Sequence, residues 1–171
     1  LSNNPELKFT LGNQLDKLTA LTNLKLKETG LHGWLPPIES LQQLLELDVS
    51  GTSISGTIPR IVFGLPRLQT LDCDNTGISG ELGPLSPVIQ QVFVAYTQVS
   101  GTLPEMNKPS KLQDLSIIET FISGTVPASL TDQQDISRLY MYYTQLSGTF
   151  PSVETAHSLI EVDVDSTCPH S

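Results

Sequence analysis

The side chains in this sequence that could do chemistry are carboxylates that recur at alternate positions in short segments. They fall into two groups, Glu46, Asp48, Asp72 and Asp74, and then Glu161, Asp163 and Asp165. Carboxylate oxygens can hold Ca²⁺, and they also attract basic partners. A dedicated Ca²⁺ site requires backbone carbonyl ligands from a glycine-bearing loop, and the sequence has no such loop beside these residues. We therefore favour solvated charge, with no metal and no other cofactor.

The remaining reactive side chains do not form a catalytic pattern. For His32, His157 and His170, the repeat places no cysteine or serine nucleophile together with an acidic residue at positions that match the histidine. The sequence contains no glycine-rich phosphate loop and no paired-cysteine metal spacing. We predict that the chain is not an enzyme and has no catalytic residues.

An eight-residue unit recurs along the chain and must position these side chains. It reads TQVSGTLP at 97–104, and the other copies are Thr29–Pro36, Thr52–Pro59, Thr76–Gly83, Thr120–Pro127 and Thr144–Pro151, with a truncated copy from Thr167. Successive threonines are 23, 24, 21, 23, 24 and 23 residues apart. A period of this length is typical of leucine-rich repeats.

Apolar residues precede each threonine by eight, five and three positions, as Leu112, Leu115 and Ile117 precede Thr120. The last two alternate with a period of two, which indicates a strand with one buried face. We predict an α/β repeat solenoid, mostly β. It is a leucine-rich-repeat superhelix with a concave parallel sheet, short second strands on its flank, and convex 3₁₀ or irregular turns.

We expect one array without further domains. A partial repeat covers 1–20, full repeats cover about 21–43, 44–67, 68–88, 89–111, 112–135 and 136–158, and a terminal partial repeat covers 159–171. In the first partial repeat, Asn4 takes the threonine position, and Leu7 and Leu11 take apolar sites. The repeat at 68–88 has Gly83 in place of proline, which predicts a shorter and less helical convex arc.

The threonines form a column with two possible roles. In most leucine-rich repeats an asparagine at this site bridges backbone groups of adjacent turns, and a buried hydroxyl could form a similar ladder. Alternatively, threonine suits extended backbone because it is β-branched. The column comprises Thr29, Thr52, Thr76, Thr97, Thr120, Thr144 and Thr167.

Strand alternation places several aromatic residues on the outward face of the concave sheet. Phe93, Ile118, Tyr140 and Tyr142, with nearby Tyr96 and Tyr143, are expected to form an exposed patch. Clustered aromatics mark interaction sites, although aromatic residues also stabilise neighbouring strands. The predicted partner-binding residues are Phe93, Tyr96, Ile118, Arg138, Tyr140, Tyr142, Asp72 and Asp74.

Composition narrows the partners. A net charge of −9 disfavours nucleic acid and anionic lipid, which need a basic face. No apolar run approaches the ~20 residues of a membrane span. We expect a monomer that binds a protein ligand. Cys73 is expected to be a packed free thiol, and Cys168 to belong to a cap whose partner cysteine lies outside this chain.

The units TSISGTIP, TQVSGTLP, TFISGTVP and TQLSGTFP resemble the repeats of trypanosomatid promastigote surface antigens. The resemblance implies an extracellular coat protein, GPI-anchored or shed, with disulfide-closed caps. Its repeats would engage a host receptor or a complement component. The chain departs from that family at His32-Gly33-Trp34 and at Ser79-Gly80-Glu81, and it has no cysteine-rich cap.

Two other interpretations are open. A plant-type receptor ectodomain or a polygalacturonase-inhibitor-like defence protein shares the Gly-x-apolar-Pro flank, but normally keeps the asparagine ladder and carries glycosylation acceptors. This chain has no Asn-x-Ser/Thr acceptor. A self-assembling structural repeat is the third interpretation, and concentration-dependent light scattering would distinguish it.

Overall fold

The computed structural model describes residues 1–12, 15–106, 110–154 and 156–164, and its strands form two parallel sheets. The concave sheet contains β2 (Asn23–Lys25), β4 (Glu46–Asp48), β6 (Thr70–Asp72), β8 (Gln91–Phe93), β10 (Asp114–Ser116), β12 (Arg138–Tyr140) and β14 (Glu161–Asp163). The flank sheet contains β1 (Asn4–Phe9), β3 (Thr29–Trp34), β5 (Ser53–Thr57), β7 (Gly77–Glu81), β9 (Gln98–Thr102), β11 (Phe121–Gly124) and β13 (Gln145–Leu146). Each turn between β2 and β13 contributes one strand to each sheet, so the predicted repeat solenoid is confirmed.

The core is built from columns of apolar residues that pair in register. One column in the concave sheet joins Leu24, Leu47, Leu71, Val92, Leu115, Leu139 and Val162. Its middle members are fully buried, whereas Val162 is 38% exposed. The expectation that Val162 and Val164 are buried is wrong, because β14 is the last strand of its sheet in the described part of the chain.

At the amino end, β1 pairs with β3 in parallel, and its register shifts between Asn4, which pairs with Thr29, and Lys8, which pairs with Gly30. The expectation for Leu7 is wrong, because its side chain is 42% exposed. Phe9 and Leu11 are the residues that pack against the core there.

Short helices lie on the convex side of some turns. They are 3₁₀ helices at Leu15–Lys17 and Arg60–Gly64 and an α-helix, α1, at Ala128–Thr131. Pro59 and Pro127 stand at the helix starts, where their fixed φ fits and no backbone N–H is needed. Residues 82–90 contain no helix, as predicted for the repeat that carries Gly83.

The threonine column lies at the turn between the two sheets and is buried. Each described hydroxyl donates a hydrogen bond to the carbonyl three residues earlier, as Thr120 does to Ile117 at 2.7 Å. The same bond occurs at Thr29, Thr52, Thr76, Thr97 and Thr144. The expected bond between turns is therefore wrong, because a threonine side chain is shorter than asparagine and closes its own turn. Thr167 lies outside the described residues.

The residue before each threonine takes a left-handed backbone conformation. These residues are Glu28, Gly51, Asn75, Tyr96, Glu119 and Tyr143, with φ between 49° and 64°. The backbone N–H there donates to the next turn, as Tyr96 does to the Ile118 carbonyl at 2.8 Å. The solenoid geometry therefore imposes this conformation at every repeat, whatever the residue type.

Candidate functional site

The outward side chains of the concave sheet form two rows because the strands are in register. One row reads Lys25, Asp48, Asp72, Phe93, Ser116, Tyr140 and Asp163. Two residues further along each turn, a second row reads Lys27, Ser50, Asp74, Ala95, Ile118 and Tyr142. The surface therefore changes from acidic to aromatic along the solenoid, between β6 and β8.

Three tyrosines cluster at the edge of this surface, and we call Tyr96, Tyr142 and Tyr143 the aromatic corner. Tyr96 is 43% exposed and Tyr143 is 47% exposed. The rings of Tyr142 and Tyr143 meet edge to face, with centroids 5.4 Å apart. Burial, together with a hydrogen bond to the Tyr96 side chain, raises the pKa of Tyr142. The corner therefore joins turns that are two repeats apart.

The other predicted aromatic residues are less accessible than expected. Phe93, Ile118 and Tyr140 are half-buried between neighbouring strands. The Tyr140 hydroxyl donates to Glu161 Oε2 at 2.7 Å. The expected patch of uniformly exposed aromatics is wrong for these residues, because side chains in register cover one another.

Tyr96 and Tyr143 hold a conformation that is unfavourable for a bulky residue, with φ of 55° and 54°. Glycine or asparagine adopts this region more easily, and both occur at the same position in other repeats, as Gly51 and Asn75. Glu28 and Glu119 hold the same conformation in other repeats, so it belongs to the turn and not to the tyrosines alone. The sequence held this signal, since asparagine and glycine before the threonine indicate a left-handed residue.

Replacing one of these tyrosines should cost no stability. We expect Tyr96→Asn to keep the free energy of unfolding within about 0.5 kcal/mol of wild type or above it, because asparagine tolerates the left-handed region. Equilibrium urea titration measures the change. A loss of ~2 kcal/mol or more would show that the Tyr96 ring stabilises the fold.

Asp48, Asp72 and Asp74, the aspartate group, stand beside the aromatic residues. Asp72 Oδ1 accepts from the Asp74 N–H at 3.1 Å, and Asp74 Oδ1 accepts from the Ala95 N–H at 2.6 Å. Burial and the neighbouring Asp72 carboxylate raise the pKa of Asp74 to about 7. Burial likewise raises the pKa of Asp72, and Asp48 adds to the shift. The backbone thus holds two carboxylates together at an unfavourable spacing.

The raised pKa predicts a stability change with a definite sign. Asp74 binds its proton more tightly in the folded state, so it destabilises the fold progressively as pH rises from 3.8 through about 7. Asp74→Asn keeps the acceptor for Ala95 and removes the charge. We expect it to stabilise the fold by on the order of 1 kcal/mol at about pH 8, allowing for solvent screening, and to have little effect at about pH 4.

Urea unfolding of wild type and Asp74→Asn at both pH values measures this difference. Asp135→Asn is the control, because Asp135 is an exposed aspartate that does not act on Asp74. An equal difference at both pH values would mean that ionisation of Asp74 is not its cause.

Arg138 is already paired with Asp114. Arg138 Nε and Nη2 donate to Asp114 Oδ1 and Oδ2, both at 2.7 Å, and Gln91 Nε2 donates to Oδ2 at 2.9 Å. Burial opposes ionisation of Asp114, but these hydrogen bonds outweigh it and lower its pKa. Asp114 is on the outward face of β10 by strand alternation, yet it is 2% exposed, because the guanidinium of the next turn covers it.

Other reactive groups do not converge on this surface. Cys73 is a buried free thiol, and its burial raises its pKa well above the usual range. Within residues 1–12, 15–106, 110–154 and 156–164, no three acidic, histidine or cysteine side chains could hold a metal ion. No helix in the same ranges is long and apolar enough to cross a membrane. Asp165, Cys168 and His170 lie outside the described residues.

Comparison with known proteins identifies plant relatives. The family model for the Leucine Rich Repeat matches residues 43–65. Receptor like protein 22 of Arabidopsis thaliana is 30% identical over 101 residues, which is 56% of this chain and 13% of that protein. The chain thus spans about an eighth of the length of this relative.

Solved structures show the same fold. The Arabidopsis receptor kinase HAESA, in complex with the peptide hormone IDA and the co-receptor SERK1, matches with a TM-score of 0.87 and 24% identity, over 96% of this chain and 28% of that one. The ectodomain of GASSHO1/SCHENGEN3 from Arabidopsis, in complex with CASPARIAN STRIP INTEGRITY FACTOR 2, matches with a TM-score of 0.85 and 28% identity, over 97% of this chain and 21% of that one. The fold is therefore a leucine-rich-repeat solenoid.

The resemblance to trypanosomatid surface antigens is wrong, because the relatives found are plant receptor-like proteins. The expectations of a GPI-anchored parent, a host receptor and a complement component are not supported either. The eight-residue unit does not identify a family, because the solenoid geometry itself requires it. Glycine has a positive φ in each complete flank strand, and proline leads into the convex side.

Proposed function

We propose that this chain is the ligand-recognition part of an extracellular leucine-rich-repeat protein of the plant receptor-like type. It is not an enzyme, and it binds a peptide or protein on the concave sheet. The plant-type alternative from the sequence is thus preferred to a parasite coat protein. We take the chain to act as a monomer, and light scattering that grows with concentration would contradict this.

The observation that carries the proposal is the aromatic corner. Two exposed tyrosines occupy left-handed backbone positions at which asparagine and glycine serve equally well in other repeats. Tyrosine is enriched among the residues that dominate binding energy at interfaces. Every repeat takes this backbone conformation, so the support for recognition comes from the exposure and clustering of the tyrosine rings.

The relatives support the same class of function. GASSHO1/SCHENGEN3 is a plant membrane receptor kinase whose repeat ectodomain was solved in complex with a factor that it binds. The solenoid also offers an extended surface on which one partner can contact several turns. Tyr96 and Tyr142 interact although they lie two repeats apart, so the aromatic corner extends over several turns.

Screening a phage-displayed random peptide library against the immobilised chain tests the proposal. The variant Tyr96→Asn with Tyr142→Ser removes two rings of the aromatic corner. The control is Phe121→Ser, because Phe121 is a 54% exposed aromatic on the flank sheet. We expect wild type and the control to enrich the same peptides, and the corner variant to lose them by at least about tenfold.

Circular dichroism and urea unfolding establish that all three proteins are folded. Equal enrichment by wild type and the corner variant would remove the aromatic corner from the binding surface. Failure of folded wild type to enrich any peptide would contradict peptide recognition altogether.

A further inference from the structure

Carboxylates flank the aromatic corner on both sides. Asp74 accepts a hydrogen bond from the Ala95 N–H at 2.6 Å, and Ala95 directly precedes Tyr96. Glu119 holds the position of Tyr96 and Tyr143 on the turn between them, Asp163 lies on the turn after Tyr140, and both carboxylates act electrostatically on Tyr142. Carboxylates therefore lie on the turns before, between and after the tyrosines.

Cations of this chain offset that charge only in part. Lys25 is paired with Glu46 at 2.7 Å, and Arg138 is paired with Asp114 at 2.7 Å. Among the side chains that act on Asp74, Lys27 is a cation, whereas Asp72 and Asp48 are carboxylates. Among the described charged side chains that act on Asp74 and Tyr142, carboxylates therefore outnumber cations.

We propose that the aromatic corner, together with Asp72 and Asp74, selects an extended peptide segment that carries a lysine or arginine side chain. This inference rests on the proposed function and specifies the chemistry of its partner. A cation on a tyrosine face is attracted by the ring, and nearby carboxylates complement its charge. An acidic peptide would place like charges together on this surface.

The hydrogen bonds of Asp72 and Asp74 allow a variant that removes only the charge of these two residues. Asp72 and Asp74 accept hydrogen bonds from the backbone N–H groups of Asp74 and Ala95. An asparagine side chain can accept the same bonds through its amide oxygen. The pair Asp72→Asn and Asp74→Asn therefore removes the charge without removing the contacts that hold the turn.

Selection should also depend on pH. Asp74 faces Asp72 on its own turn, Asp48 and Lys27 on the two preceding turns, and the Ala95 N–H on the following turn. Burial raises its pKa to about 7, so the carboxylate that attracts a cation is lost as pH falls through that value. Capture of a basic peptide should weaken in the same range.

The test repeats the library selection at about pH 8 and low salt, with wild type, the Asp72→Asn Asp74→Asn variant and Phe121→Ser. Peptides enriched by wild type and by Phe121→Ser should carry more lysine and arginine than the input library. The double asparagine variant should capture those same peptides about tenfold more weakly. Wild type should also capture them more weakly at about pH 5 or in about 0.5 M salt.

Enriched peptides without an excess of lysine or arginine would overturn the inference. Equal capture by the double asparagine variant would do the same. Either result leaves the proposed function standing if the corner variant Tyr96→Asn Tyr142→Ser still loses the peptides. If the folded wild type enriches nothing, both the inference and the proposed function fail.

Discussion

Leu115→Ala is expected to destabilise the chain by about 2–5 kcal/mol. Leu115 is 1% exposed at the centre of β10 and pairs with Val92 on one side and Leu139 on the other. Removing its side chain costs transfer energy and leaves a cavity. The cavity cannot close easily, because hydrogen bonds to two neighbouring strands fix the backbone around it.

The matched control is Val162→Ala, because Val162 occupies the same column at the edge of the sheet and is 38% exposed. We expect that change to cost less than about 1 kcal/mol, since little apolar surface returns to water. Equilibrium urea unfolding measures both variants. Similar losses at the two positions would show that the column is not a continuous core.

Gly83→Ala is the second large effect, and we expect it to cost about 1–3 kcal/mol. Other repeats carry proline at this position, so the sequence pattern alone suggests that a larger residue fits. In the structure, a Cβ on Gly83 would stand 2.7 Å from the Arg60 carbonyl oxygen and 3.2 Å from Phe63 Cδ2. The first contact is with backbone, which cannot rotate away.

Gly64→Ala is the control for this prediction. Gly64 ends a 3₁₀ helix of the preceding repeat, and a Cβ there would lie 4.0 Å from the nearest atom, the Pro84 carbonyl oxygen. We expect this change to be neutral or to stabilise by up to about 1 kcal/mol, because alanine restricts the unfolded chain. Thermal or urea unfolding of both variants measures the change in stability. An equal change in the two would contradict the predicted clash at Gly83.

The strands and their register could be predicted from the sequence because burial repeats with the turn. Leu115 and its column stand at one offset from each threonine, and strand alternation then fixes which neighbours face outward. The shorter arc at Gly83 followed from a spacing of 21 residues. These features depend on the period and not on contacts between particular side chains.

The pairing of Asp114 with Arg138 could not be predicted in the same way. The two residues are 24 positions apart, and the bond depends on the length and rotamer of one arginine. The predicted exposure of Phe93 and Tyr140 is wrong for the same reason, since side chains of neighbouring turns half-bury both residues. The predicted hydrogen bonds between turns are wrong because a threonine hydroxyl lies closer to the backbone than an asparagine amide does. Each hydroxyl therefore bonds within its own turn.

The left-handed backbone conformation at Tyr96 and Tyr143 could have been predicted from the sequence. Gly51 and Asn75 at the same offset indicate a left-handed position, and two tyrosines there are then unusual. The family was misassigned because the eight-residue unit reports the geometry of the turn and not ancestry.

The measurement that tests the account most directly is hydroxyl-radical footprinting of the chain with and without a library-selected peptide. We predict that the peptide protects 93–96 and 140–143, which carry the aromatic corner and Phe93, and leaves Phe121 on the flank sheet unprotected. Protection confined to the flank sheet, with Tyr96, Tyr142 and Tyr143 oxidised at unchanged rates, would contradict recognition on the concave sheet.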